Sequence, residues 1–298
     1  MRIRITPLTT LIAVSAMLIS GCGGEDTTET AAATTAAAAD RPSADGKGHY
    51  AQINGGSVYY ETQGSGRPIV LLHGGLGTAE STFGPYVSEL AKTRRVISVE
   101  LQAHGHTPDR DRPLAYESLA DDVGALINHL NLGRADIVGY SLGGSVAMQV
   151  AARTPDVVSG LVVIGAPFRS DGWRPESRAG MAALDPEAMR GTPLHQLYTG
   201  IAPDPNGWTA LVTKTRDLLA QNYDWTAQLA KIQAPTLIVT AESDVIFREH
   251  AADTVTRLNT THPNLARLEI APGTTHYDIM YRPDLLLPLL SSLPAATR

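Results

Sequence analysis

Ile137-Val138-Gly139-Tyr140-Ser141-Leu142-Gly143-Gly144 decides how this chain folds. An apolar run of strand length closes in Gly-x-Ser-x-Gly, and residues 145–153 follow at once in a helix-favouring composition. Strand, sharp turn and helix in succession push the serine hydroxyl clear of the backbone. The flanking glycines suit that turn, because a Cβ there would crowd the folded-back chain. A serine hydroxyl is a weak nucleophile until a base takes its proton, so the pattern carries chemistry only if partners stand elsewhere in the chain.

Upstream, residues 49–53 and 57–63 alternate well enough for two strands about a Gly55-Gly56 turn. Ile69-Val70-Leu71-Leu72 is a continuous apolar run, as expected of a strand buried on both faces, and it empties into His73-Gly74-Gly75-Leu76-Gly77. A helix is expected over 81–90 and a strand over 96–99. A helix over 119–130 follows, with apolar residues at 119, 123, 126, 127 and 130, then strands at 136–140 and 160–164. The alternation breaks from 167 to 234, where helical pieces are expected at 181–189 and 211–219. It resumes with a strand at 236–240, a helix at 248–258, a strand at 265–270 and a helix at 283–293. Strand alternating with helix predicts an α/β fold, a mostly parallel eight-stranded sheet covered by helices on both faces. Its core takes residues 48–167 and 235–298, and a helical cap, 168–234, is inserted after strand 6.

With 43% hydrophobic and 18% charged residues, the 298-residue chain can bury a substantial core. A net charge of −6 shows no basic surplus and argues against a nucleic-acid partner. The single cysteine, Cys22, rules out an intramolecular disulfide and a thiolate metal site. The nearest approach to a metal-ligand spacing, His104-Gly105-His106, is expected in a surface loop. Met1-Arg2-Ile3-Arg4 followed by an apolar stretch at 8–19 suits a signal peptide, residues 1–21, better than a bilayer span. Ile19-Ser20-Gly21-Cys22 resembles a bacterial lipobox, which implies lipidation of Cys22 and an exported protein, either anchored at the membrane surface or secreted. Residues 22–47 are rich in Thr, Ala and Gly and nearly devoid of large apolar side chains, as expected of a flexible tether reaching about 25–30 Å.

Four stretches together resemble the α/β-hydrolase superfamily, over most of the chain from His73 to His276. They are His73-Gly74-Gly75 after a strand, Gly139-Tyr140-Ser141-Leu142-Gly143, Ala241-Glu242-Ser243-Asp244 after a late strand, and Pro272-Gly273-Thr274-Thr275-His276. The order Ser, Asp, His is that family's order. The resemblance implies Ser141 as nucleophile at the C-terminal edge of the sheet and His276 as general base and acid. It implies Asp244 as the residue that orients the histidine, with Glu242 and, more remotely, Asp171 as competing acids. It further implies an oxyanion hole from the backbone N–H groups of Gly75 and Leu142, with Leu76 an alternative to Gly75, and a loop-shaping part for His73. One stretch departs from the family pattern: Glu100-Leu101-Gln102-Ala103-His104-Gly105-His106-Thr107 keeps an acid and a glycine where members often carry an Asp and a Gly-x-Gly-type turn.

A serine at this position excludes the aspartate-nucleophile branches. The expectation is a serine hydrolase that cleaves an ester or lactone of a small, apolar substrate through an acyl-enzyme, with no metal or organic cofactor. The same triad would serve carbon–carbon or amide cleavage, and a non-catalytic ligand-binding surface lipoprotein is the reading from another class. Leu76, Trp173, Tyr198 and Trp208 are the pocket candidates. The cap's aromatic residues, Trp225 among them, either wall that pocket or fill the cap's own core.

Overall fold

A computed structural model of the protein describes residues 40–292. The signal-like stretch, Cys22 and residues 23–39 lie outside the described residues. Among those described, nine strands form one sheet. The first three are antiparallel: β1 (Arg41–Pro42), β2 (His49–Ile53) and β3 (Gly56–Gln63). β1 extends the expected eight strands by one at the edge, and residues 40–47, expected in the tether, meet the fold instead. The Tyr60 hydroxyl donates to Asp40 at 2.6 Å, and the Arg41 guanidinium lies 4.4 Å from the centre of the Tyr50 ring. The β2–β3 turn is centred on Asn54 and Gly55, with φ of 48° and 80°, one residue before the position expected. Those left-handed angles match the twist of a two-residue hairpin loop, and Gly56 already pairs with Ile53 in the ladder.

The other six strands run parallel: β4 (Arg67–Leu72), β5 (Arg94–Val99), β6 (Ala135–Tyr140), β7 (Val158–Ile164), β8 (Thr236–Ser243) and β9 (Ala266–Thr275). The spatial order is β1-β2-β3-β5-β4-β6-β7-β8-β9, so β4 and β6 lie at the centre. Leu72 faces Val99 on one side and Gly139 on the other, which aligns the ends of β4, β5 and β6.

Alternation along the strands feeds two cores. Val70, Leu72, Ile137, Leu161 and Val163 face one way, toward α2 (Tyr116–His129), α3 (Leu142–Arg153) and α8 (Arg248–Thr261). Ile69, Leu71, Val138, Val162 and Ile164 face the other, toward α1 (Ala79–Leu90) and α9 (Pro283–Ser291). Central strands covered on both faces have no polar side to show, which is why their sequences are unbroken apolar runs. At the N-terminal edge, buried Asp136 joins Arg67, Arg94 and the Ser159 hydroxyl. The C-terminal edge, opposite, is left for loops.

Between β7 and β8 the chain leaves the sheet and builds α4 (Pro175–Ala182), α5 (Pro193–Ile201), α6 (Trp208–Leu219) and α7 (Thr226–Leu229). The helix expected at 181–189 instead ends at Ala182, and α5, not expected, begins behind a Thr192 cap and Pro193.

Candidate active site

Ser141 stands between the end of β6 and the first residue of α3, in the turn where the chain reverses from strand to helix. Its φ of 53° and ψ of −117° are a conformation that non-glycine residues rarely adopt, held by its N–H donating to Ile164 O at 2.8 Å. Gly143 shows why the turn needs glycine: a Cβ there would lie 2.1 Å from Leu72 O. Beside it, Leu76 (φ 60°) and Ala103 (φ 68°) are also left-handed, on the loops after β4 and β5. With Ser141 they are the described left-handed residues that are neither Asn nor Gly, and all three sit at this edge of the sheet.

Asp244 follows β8 and His276 follows β9, so the parallel sheet delivers both to the same edge as Ser141. His276 Nδ1 lies 2.9 Å from Asp244 Oδ1, and His276 Nε2 lies 3.1 Å from Ser141 Oγ. With Nδ1–H donating to the carboxylate, Nε2 is left as the acceptor that faces the serine hydroxyl. Asp244 accepts three further hydrogen bonds: from Val245 N (2.7 Å), Ala241 N (2.8 Å) and Thr240 Oγ1 (3.0 Å). Burial by itself would raise its pKa. The hydrogen bond and charge of His276, with the Ala241 and Thr240 donors, outweigh burial and hold the carboxyl below its ordinary value. Glu242, the competing acid, is exposed and accepts from Gly273 N at 2.8 Å, while Asp171 pairs with Arg169.

A sequence model of the alpha/beta hydrolase family matches residues 69–289, spanning every loop that carries these side chains. The chain belongs to the alpha/beta hydrolase family. Among curated proteins it is similar to the serine hydrolase BPHL of Homo sapiens, 28% identical over 253 residues, with 75% of this chain and 78% of that protein covered. It is also similar to the putative carbamate hydrolase RutD of Azorhizobium caulinodans, 26% identical over 66% of this chain and 81% of that protein. Among solved structures, Est816, described as an N-acyl homoserine lactone degrading enzyme, is 25% identical with a TM-score of 0.65, covering 82% of this chain and all of that one. The enol-lactonase from Burkholderia xenovorans LB400 shares the fold at 20% identity and a TM-score of 0.65, over 82% of this chain and 98% of that one.

In this hydrolase the loop after β4 brings Gly75 and Leu76 to the same cavity as the serine. The Leu142 N–H opens α3 and has no acceptor inside the helix. His73 anchors the loop from below. Its Nδ1 bonds the Gly74 carbonyl at 2.7 Å and its Nε2 accepts the Leu101 N–H at 3.1 Å, tying the β4 and β5 loops together. Complete burial, then the neighbouring His104, pushes His73 down to about 3, so it stays neutral. His104 is itself fully buried and pushed down to about 4 by that burial, so the expected surface loop is instead packed into the site's support. Its neighbour His106 bonds buried Glu100 at 2.9 Å, which is how the departing Glu100–Thr107 stretch holds its shape.

Ser141, His276, Asp244, Gly75 and Leu76 open on a cavity of about 630 Å³, the size of a small organic ligand, under α4. Of the expected pocket residues, Leu76 and Trp173 line it. Tyr198 and Trp208 do not: they pack with Leu211 and Val212 of the cap and with Leu76 and Ala103 of the loops after β4 and β5. Their polar atoms are used there, the Trp208 indole N–H donating to Pro186 O at 2.9 Å and the Tyr198 hydroxyl to Asp204 O at 3.2 Å. Three supporting residues escaped sequence reasoning. Tyr140 donates from its hydroxyl to the His276 carbonyl at 2.7 Å, and Thr240 caps Asp244. Gly165, straight after β7, leaves room for the imidazole: a Cβ there would lie 2.9 Å from His276 Nδ1. A glycine closing a buried strand was the available signal for the last, and Thr240 stands only four residues before Asp244, whereas the partner of Tyr140 lies far along the chain, after β9, and left no local trace.

Proposed function

We propose that the protein is a serine hydrolase that cleaves a small carboxylic ester or lactone through an acyl-enzyme. The observation that carries this is the continuous relay from Asp244 through His276 to Ser141, opening on a cavity large enough for a small organic ligand. Ser141 Oγ attacks the acyl carbon while His276 Nε2 takes its proton. Asp244 holds the ring in the required tautomer and stabilises the imidazolium that forms. The N–H groups of Leu142 and Gly75 receive the negative charge on the tetrahedral intermediate, the former aided by the positive end of α3. His276 then returns the proton to the leaving oxygen, and a water repeats the sequence to release the acid. The apolar wall of Leu76, Trp173, Met181 and Leu219 suits an acyl or alkyl chain, similarity to the serine hydrolase BPHL supports the serine nucleophile, and similarity to Est816 supports lactone chemistry.

A fluorophosphonate probe tests the nucleophile: mass spectrometry of the labelled, folded protein should place the adduct on Ser141. A folded protein with no adduct there would refute the proposal. Acyl esters of graded chain length beside a few lactones then define the bond cleaved. The sequence around Cys22 supports a further element of the proposal, a lipid anchor that holds this hydrolase at the outer face of a membrane. Cys22→Ser should move the protein from the membrane fraction to the soluble one, and wild-type protein found without lipid would dismiss the anchor.

A further inference from the structure

Arg174 occupies an unusual place in the cavity wall. An isolated bridge pairs Trp173 with Ile246, and the Arg174 N–H donates to Val245 O at 2.8 Å, so its backbone is fastened to the Asp244 loop. Its side chain is fastened too. Nε donates to the Asp244 carbonyl at 3.0 Å, and the guanidinium carbon lies 5.0 Å from the centre of the Phe247 ring. These contacts use one nitrogen and one face of the group. Among the described residues its two terminal nitrogens meet no acceptor and it forms no ion pair.

Apart from Glu176 at the rim, charge in and around the cavity is otherwise committed. Arg174 is the only Lys or Arg among the residues lining the space onto which Ser141 and His276 open. Of the cations nearby in the cap, Arg178 bonds Asn222 Oδ1 at 2.8 Å and Lys214 bonds Asp109 at 2.6 Å. The Asp244 carboxylate spends both oxygens on His276 and its three other donors. Glu176, exposed at the rim, comes within ion-pair distance of no cation among the described residues. A pre-positioned guanidinium with two parallel N–H groups is matched in shape and charge by a carboxylate.

We infer that Arg174 binds a carboxylate on the substrate, making the substrate class of this site an ester or lactone with an apolar body and an anionic end. The inference rests on the serine-hydrolase reading above. The apolar wall takes the chain, and the guanidinium selects substrates whose charge reaches it when the acyl carbon lies over Ser141.

Matched esters test this. Methyl hydrogen adipate against methyl hexanoate carries the charge on the acyl side, and (butanoyloxy)acetate against propyl butanoate carries it on the alcohol side. In one pair the wild-type enzyme should show kcat/KM higher for the charged ester by on the order of 10- to 100-fold, as for a charge-assisted hydrogen-bonded pair. That preference should shrink with added salt. In Arg174→Gln the ratio should collapse to about 1, and Arg174→Lys should restore part of it. If Arg174 only braces the Asp244 loop, the Gln variant will lower charged and neutral esters alike, with the ratio intact, and the inference is overturned. Wild-type protein that is labelled at Ser141 yet shows no preference in either pair also overturns it, while leaving the hydrolase reading standing. Absence of labelling removes the reading on which it rests.

Discussion

Replacing Asp244 with Asn tests the relay at its most buried point. All four partners of this carboxylate are donors: His276 Nδ1, Val245 N, Ala241 N and Thr240 Oγ1. An amide cannot satisfy that set. If its NH2 faces Ala241 and Thr240, donor meets donor. If it faces His276, the imidazole must move its proton to Nε2, which then points N–H at Ser141 and can no longer take the serine's proton. The electrostatic loss can be sized from the geometry. Opposite unit charges at the 2.9 Å His276–Asp244 separation attract by about 5–6 kcal/mol in an effective dielectric of about 20. That attraction exists only once the imidazolium forms, so most of it is lost from the transition state, and about 1.4 kcal/mol is tenfold in rate. Asp244→Asn should therefore lower kcat/KM for 4-nitrophenyl butyrate by roughly 10⁴-fold, with circular dichroism unchanged. The carboxyl is depressed in the fold, so it contributes stability above the unfolded carboxylate pKa. That stability is lost as pH falls below about 4 through the folded pKa, and the Asn variant should lack this acid limb in urea titrations. A loss under tenfold in a folded variant, or a larger loss in Glu242→Gln, would refute the reasoning.

Other substitutions probe what supports the site. Gly143→Ala would drive a Cβ to within 2.1 Å of Leu72 O and 2.5 Å of His73 O. It should cost at least about 3 kcal/mol or abolish folding, whereas Gly180→Ala, with open space around it inside α4, should raise thermal stability by up to about 1 kcal/mol. Trp208→Ala should destabilise by about 3–5 kcal/mol in denaturant melts yet leave fluorophosphonate labelling of Ser141 intact, because that ring packs between the cap and the loops after β4 and β5 without lining the cavity. The Glu100 hydrogen bond raises the His106 pKa above its ordinary value, against an opposing effect of burial. This pair therefore contributes most below the unfolded histidine pKa near 6.5, and its contribution is lost as pH rises through the folded value. Glu100→Gln should accordingly cost more stability at pH 5 than at pH 9, and an equal cost at both would contradict the pairing.

Much of the fold was legible because each buried strand must be apolar on both faces and each covering helix on one. Residues 69–72, 137–140 and 160–164 carry no charged break for that reason, and the structure ends their strands within a residue or so of where the runs end. The failures are local and physical. A two-residue hairpin loop of this kind needs left-handed angles at both central positions, and Asn54 tolerates them better than most side-chain-bearing residues, which placed the turn one residue earlier. Residues 40–47 look like tether by composition, but the open edge of β2 and the polar atoms of Tyr60 and His129 hold them. His104 sits in a polar, glycine-bearing stretch, yet the loop turns inward and sets its ring at a tilt against His73, with ring centres 5.0 Å apart.

The sequence by itself determined the architecture and the identity of Ser141, Asp244 and His276 as the residues to watch. Each directly follows a strand, and a parallel sheet carries all such ends to one edge. Only the tertiary structure decided between Asp244 and Glu242, because the choice depends on which carboxylate the backbone of the β8 loop turns inward to meet His276. It likewise separated Trp173 from Trp208, two tryptophans of one cap segment, since burial against the cavity or within the cap is set by helix packing. The terminal guanidinium nitrogens of Arg174 belong with these: nothing in its neighbours along the chain shows that Asp244 and Phe247, some seventy residues on, hold the group in place with no ion pair among the described residues.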